Sequence, residues 1–187
     1  MAWRSQSPTQ SQRRLIEDAL DFVARYAQGL PTGLQAKLRQ FWDAEKIRLR
    51  PMKSRARYLE LPLMGAWMEL DPSSLGLESI FEPGAALADE SLSAQRREQM
   101  LAKVQEQWVY LGSALVHEGV HALEGLSWNR ARDELSAYNA ECRFLSNVFS
   151  ADLHPIVRNA AKSLHADAVR DAFQREGLRL EPLAEKP

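Results

Sequence analysis

A mainly helical α+β fold, with one small antiparallel β element beside a buried central helix, is what this sequence predicts. Three observations carry that expectation. Apolar residues recur at three- and four-residue spacing through five long segments. The rhythm breaks once, in "RARYLELPLMGAWMELDPSS", into short apolar stretches cut by Pro62 and Gly65. Over 187 residues, 45% hydrophobic and 26% charged is ordinary globular usage, sufficient for a single domain spanning 1–187 with its own core. Residues 1–8 and 180–187 are expected to fray.

The first helix is expected where "TQSQRRLIEDALDFVARYAQGLP" places Leu15, Ile16, Leu20, Phe22, Val23 and Tyr26 at helical spacing, before Gly29 and Pro31 stop it. A second runs from Thr32 to about Arg50 on Leu34, Leu38, Phe41, Trp42 and Ile47, and Pro51 ends it. Two strands follow at about 57–61 and 63–70, closed by the turn-forming "DPSS". Residues 71–90, rich in Pro, Gly and acids, read as a connecting loop. Ser91 or Ser93 then caps a long helix that ends at Gly125. Another runs from near Asn129 to about Phe149, and the last from about Pro155 to Glu176. Over 107–123 the central helix is apolar nearly all round: Trp108, Leu111 and Leu115 make one stripe, and Val109, Val116, Val120 and Leu123 another, so it is expected to be buried. Its Gly112, Ser113 and Ala114 admit close neighbours.

Composition removes several classes of function. With 24 basic and 25 acidic side chains there is no net field to attract a polyanion, so nucleic acid is not an expected partner. The charge run "RLRPMKSRAR" has no interleaved aromatics and reads as a solvated turn. Cys142 is the sole cysteine, which rules out an internal disulfide and a cysteine-based zinc cage. No apolar run is long enough for a membrane span, and "MAWRSQSPTQSQRR" lacks the apolar core of a cleaved signal peptide. The expected location is cytoplasmic, or wherever a signal-peptide-independent secretion system delivers the chain. Trp42, Trp67 and Trp108 are expected in the core, and His154 and His165 in surface or packing positions.

The segment "VHEGVHALEG" holds His117, Glu118 and His121. Residues four apart on a helix share a face, about 6 Å apart along the axis, so both imidazoles can address one metal ion. Glu118 is turned about 100° from His117, which suits a base acting on water better than a ligand. This is the H-E-x-x-H arrangement of zinc peptidases, in which a Lewis acid and a carboxylate together activate water. Two histidines and a glutamate in an apolar helix also need partners, which one Zn2+ ion and a water would supply.

A third protein ligand is required, and Glu124, Asp133, Glu134 and Glu141 are the candidates. If the helices on either side of 125–129 form a short-loop antiparallel pair, Glu134 stands at the height of His121, and Glu141 about 10 Å further along. Glu134 is therefore the preferred ligand. Tyr138 comes level with His117, where its hydroxyl could donate to an oxyanion.

"HEGVH" followed by "DELSAYNAE" resembles the compact gluzincin-type metallopeptidases, similar to ImmA/IrrE-type proteases and to metallopeptidase domains of bacterial effectors and toxins. The likeness covers about 30 residues. It implies a zincin-like domain with His117 and His121 as zinc ligands, Glu118 as general base and Glu134 as third ligand. Larger gluzincins space the glutamate in a way that would select Glu141 instead. The resemblance further implies a protein or peptide substrate lying along an edge strand, with "MGAWMEL" as the expected platform. A cognate inhibitor or immunity protein follows if the chain is a toxin. Gly119, inside the motif, weakens the helix by about 1 kcal/mol relative to alanine and is expected to mark a close backbone approach. The competing expectation is a helical protein-interaction module whose zinc only ties two helices together, and a hydrolase acting on a non-peptide bond is a third.

Overall fold

The computed structural model describes residues 6–77 and 92–176. Among them the order is α1 (Gln10–Arg25), α2 (Leu34–Asp43), β1 (Ile47–Leu49), β2 (Ala56–Leu61), β3 (Gly65–Leu70), α3 (Ala94–Glu124), α4 (Arg130–Ser150) and α5 (Pro155–Glu176). The fold is mainly helical α+β, as expected. Most of the ends expected to fray, and most of the expected loop at 71–90, lie outside the described residues.

Helix α1 starts in a capping box. The Gln12 amide N–H donates to the Thr9 hydroxyl, and the Thr9 N–H donates to the Gln12 side chain. Its apolar stripe, Leu15 to Val23, is buried.

Helix α2 is shorter than its apolar spacing predicts. Glu45 takes a φ of 55°, and the Lys46 N–H donates back to the Phe41 carbonyl at 2.9 Å. This six-to-one closure usually has glycine at its left-handed position. The chain leaves it extended, so Ile47–Leu49 is strand β1 rather than the end of a helix running to Arg50.

The sheet order is β1–β3–β2. β2 runs antiparallel to β3, with Tyr58 opposite Met68, while β1 runs parallel to β3, with Ile47 opposite Met68. The sheet is therefore mixed, where a purely antiparallel element was expected. Alternation turns Ile47, Leu49, Ala56, Tyr58, Met68 and Leu70 into the core. The opposite face carries Arg48, Arg57, Trp67 and Glu69. Trp67 is half-buried there, donating to Glu69 at 3.2 Å with the Arg48 guanidinium 5.5 Å from its ring, so it is not the core residue expected. Trp42 is buried, and Trp108 packs against the core. After β3, Asp71 accepts from Ser73 and from the Ser74 N–H and closes the "DPSS" turn.

Helix α3 is 31 residues long, capped by Ser93 and ended by Gly125 at a φ of 75°. It packs against α1, α2, α4, α5 and β2, so the motif it carries lies at the centre of the molecule. Two glycines allow this. A Cβ on Gly112 would come 2.9 Å from the Phe144 ring, and one on Gly119 would come 2.8 Å from Leu34 and 2.9 Å from Leu38. The close approach expected at Gly119 is thus made by α2. Among the described residues no helix is long and apolar enough to cross a membrane.

Candidate metal centre

Helix α4 begins at Asn129, whose side chain accepts from the Arg132 N–H at 3.2 Å. Asp133, in its first turn, accepts from both the N–H and the hydroxyl of Ser127 at 2.8 and 2.6 Å, which pins the short loop from α3. The two helices lie together as an antiparallel pair, and the carboxylates of α4 meet the imidazoles of α3.

The four candidate carboxylates are sorted by their contacts. Asp133 is committed to Ser127. Glu124 accepts from Ser136 at 2.7 Å. Glu134 faces both histidines, with Oε2 3.4 Å from His117 Nε2 and Oε1 3.9 Å from His121 Nε2. Glu141 lies 3.0 Å from the other nitrogen of His117, Nδ1. One donor atom each from His117, His121 and Glu134 fall within 4.8 Å of one another, a group able to hold a metal ion. Glu134, not Glu141, is the carboxylate in this group.

Glu141 has a different place. It is fully buried, accepts from Ser113 and from the Arg55 guanidinium at 2.8 Å, and spends its second oxygen on His117. A carboxylate on the far nitrogen of a metal-binding histidine fixes the ring and leaves Nε2 for the metal. Burial opposes ionisation of Glu141, yet the bond to His117, the charge of Arg55 and the Ser113 hydroxyl outweigh it and bring its pKa down to about 2. At His117 burial opposes the charged form, but hydrogen bonds to Glu134 and Glu141 prevail and raise its pKa to about 10. His121 shifts down through burial and the nearby charge of His117.

Glu118 is turned from the same helix toward β2. Its Oε2 accepts the backbone N–H of Tyr58, on β2, at 2.6 Å. Burial raises its pKa, against the pull of His117 and of that N–H. A cavity of about 340 Å³ opens here, lined by Arg55, Ala56, His117, Glu118, Tyr138 and Asp171 among others. Tyr138 stands edge-on to His117, ring centroids 4.7 Å apart, so its expected level is correct.

No protein-family profile, no curated protein and no solved structure matches this chain. The geometry of the site is thus the basis for any reading of it.

Two expectations need correction. "MGAWMEL" covers β3, the central strand, whose two edges are taken by β1 and β2. The strand with an edge toward the cavity is β2. Nor is "RLRPMKSRAR" simply a solvated turn, since Arg55 reaches Glu141 and Ser113. Sequence reasoning missed Arg55 because nothing in the run distinguishes it from its neighbours. The other two histidines stay apart from the group: His154 accepts from the Ile156 N–H, and His165 packs on Phe149.

Proposed function

We propose that this chain is a zinc-dependent peptidase in which His117, His121 and Glu134 hold the metal and Glu118 is the general base. The observation that carries the reading is the convergence of both Nε2 atoms on Glu134, with His117 and Glu118 lining one cavity. Two imidazoles and one carboxylate suit zinc, and three protein donors is the number catalytic zinc sites use where structural sites use four. When bound, the cation supplies Lewis acidity, which polarises a carbonyl and acidifies water.

The chain's own residues supply the rest. Glu118 takes one proton from the attacking water as its oxygen bonds to the carbonyl carbon, and delivers a proton to the amine as the C–N bond breaks. Its burial makes it a stronger base than an exposed carboxylate. Tyr138 lines the cavity against His117, and in this reading its hydroxyl donates to the oxygen that gains charge. A peptide would enter the cavity beside β2, whose residue Ala56 lines it. Delivery by a secretion system and a cognate inhibitor rest on the sequence resemblance alone.

The test is metal analysis of purified protein, followed by peptide-library cleavage by wild type and Glu118→Gln. The expected result is one zinc per chain in both, with cleavage by the variant reduced by about 10²- to 10⁴-fold. Equal cleavage by the two proteins would reject Glu118 as the base.

A further inference from the structure

We propose that Arg55 is a positioning residue for the metal centre, acting through Glu141 to fix the ring of His117. The inference rests on the metal-site reading above and extends it to a residue outside the H-E-x-x-H segment.

An imidazole can present either nitrogen to a metal, and the partner of the other nitrogen decides which. For His117 that partner is Glu141, 3.0 Å from Nδ1. A glutamate side chain has several rotatable bonds, so it orients a ring only if it is held itself. Glu141 Oε1 accepts from both the Ser113 hydroxyl and Arg55 Nη2, the latter at 2.8 Å. Arg55 Nη1 also donates to Ser113 Oγ at 3.1 Å. One planar guanidinium thus bridges a residue of α3 and a residue of α4, and this three-membered ring of contacts occupies Oε1. The remaining oxygen, Oε2, faces His117.

Removing Arg55 would leave Oε1 with Ser113 alone and free the carboxylate to turn. Lysine could not replace it fully, because an ammonium lacks the planar fork that reaches two acceptors in fixed directions. Arg55 also directly precedes β2, whose Tyr58 N–H holds Glu118. One short stretch, 55–58, therefore orients the ring of a metal ligand with a side chain and the base with a backbone donor.

The experiment compares wild type, Arg55→Met, Glu141→Gln and the double variant, each checked for folding by melting temperature. Zinc affinity is read by chelator competition. We expect a loss of about tenfold for Arg55→Met and of about 10- to 100-fold for Glu141→Gln. The double variant should match Glu141→Gln alone, because the first residue acts through the second. Losses that multiply would overturn the proposal. So would an Arg55→Met protein that melts lower but binds zinc like wild type, since that is what a merely structural arginine would give. If Arg55→Met does not fold, Arg55→Lys takes its place: weaker zinc binding at an unchanged melting temperature supports the fork, and wild-type affinity overturns it.

A second measurement needs no metal. Long-range 1H–15N correlation of the histidine side chains in the metal-free protein should show the His117 Nδ1 resonance displaced in Arg55→Met. An unmoved resonance overturns the proposal. Wild type that takes up no zinc, together with a displaced resonance, would sink the metal reading while leaving the link from Arg55 to His117 in place.

Discussion

At one end of the α3–α4 seam, Glu134 faces two imidazoles across 3.4 and 3.9 Å, with the exposed Arg130 guanidinium 3.9 Å away and its own side chain still 18% exposed. Seven residues on, at the other end, Glu141 is fully buried and divided among Ser113, Arg55 and His117. Both carboxylates come from one face of one helix, and both address His117, from opposite nitrogens. The loose contacts at Glu134 leave capacity for a cation, whereas the tight ones at Glu141 leave none. Residue type is shared, so the surroundings make the difference: two rings and a distant, exposed Arg130 at one end, a close Arg55 and a hydroxyl at the other.

The contrast would break most visibly at the open end. Glu134→Ala should lower zinc affinity by about two to three orders of magnitude, since a full zinc site binds with about 10–16 kcal/mol shared over four ligands. Its metal-free melting temperature should barely fall. Zinc stoichiometry and calorimetry on the same samples check both halves. Glu141→Ala should act on stability as well as on zinc binding, costing about 3 kcal/mol in chemical denaturation, because Arg55 and Ser113 lose a buried acceptor. That figure is at the low end of the range for broken buried pairs because the Arg55 side chain keeps 35% of its surface exposed.

Acid sharpens the comparison. In the folded chain Glu141 has a pKa of about 2 against the ordinary 4.5, so its ionised form adds stability above pH 4.5 that is lost as pH falls toward 2. Denaturation midpoints measured across that window should decline in wild type and decline less in Glu141→Gln. On the face of α3 turned to α2, Gly119→Ala should cost about 1 kcal/mol, because a Cβ 2.8 Å from Leu34 and 2.9 Å from Leu38 outweighs the gain in helix propensity. The smallest effect belongs to Ser136→Ala. Its bond to Glu124 is exposed, so the change in denaturation free energy should stay under about 0.5 kcal/mol.

The helices and the β2–β3 hairpin were legible because their signals are local: apolar spacing, Ser93 and Asn129 as caps, Gly125 as a stop, Pro62 between the strands and Gly65 opening β3. β1 was not. Its three residues continue the apolar spacing of α2, and the helix is ended by Glu45 in a conformation normally signalled by glycine. Within the site, His117, Glu118 and His121 follow from helical geometry, and Glu134 from the length of a short loop. Asking whether Glu134 or Glu141 was the ligand concealed that one imidazole engages both, through different nitrogens. The roles of Arg55 and of the Tyr58 N–H depend on sheet order, which puts β3 in the middle and β2 at the edge. No local pattern encodes that order.

Exposed sheet edges are where folded chains adhere to one another. β1 is bridged along its outer side by Gln6, which exchanges two hydrogen bonds with Leu49, so the available edge is that of β2. Its outward donor at Tyr58 is already given to Glu118. A second copy zipping onto that strand would have to evict a buried carboxylate and leave its charge without a donor. The contact that holds Glu118 thereby guards this edge of the sheet against self-association in crowded solution.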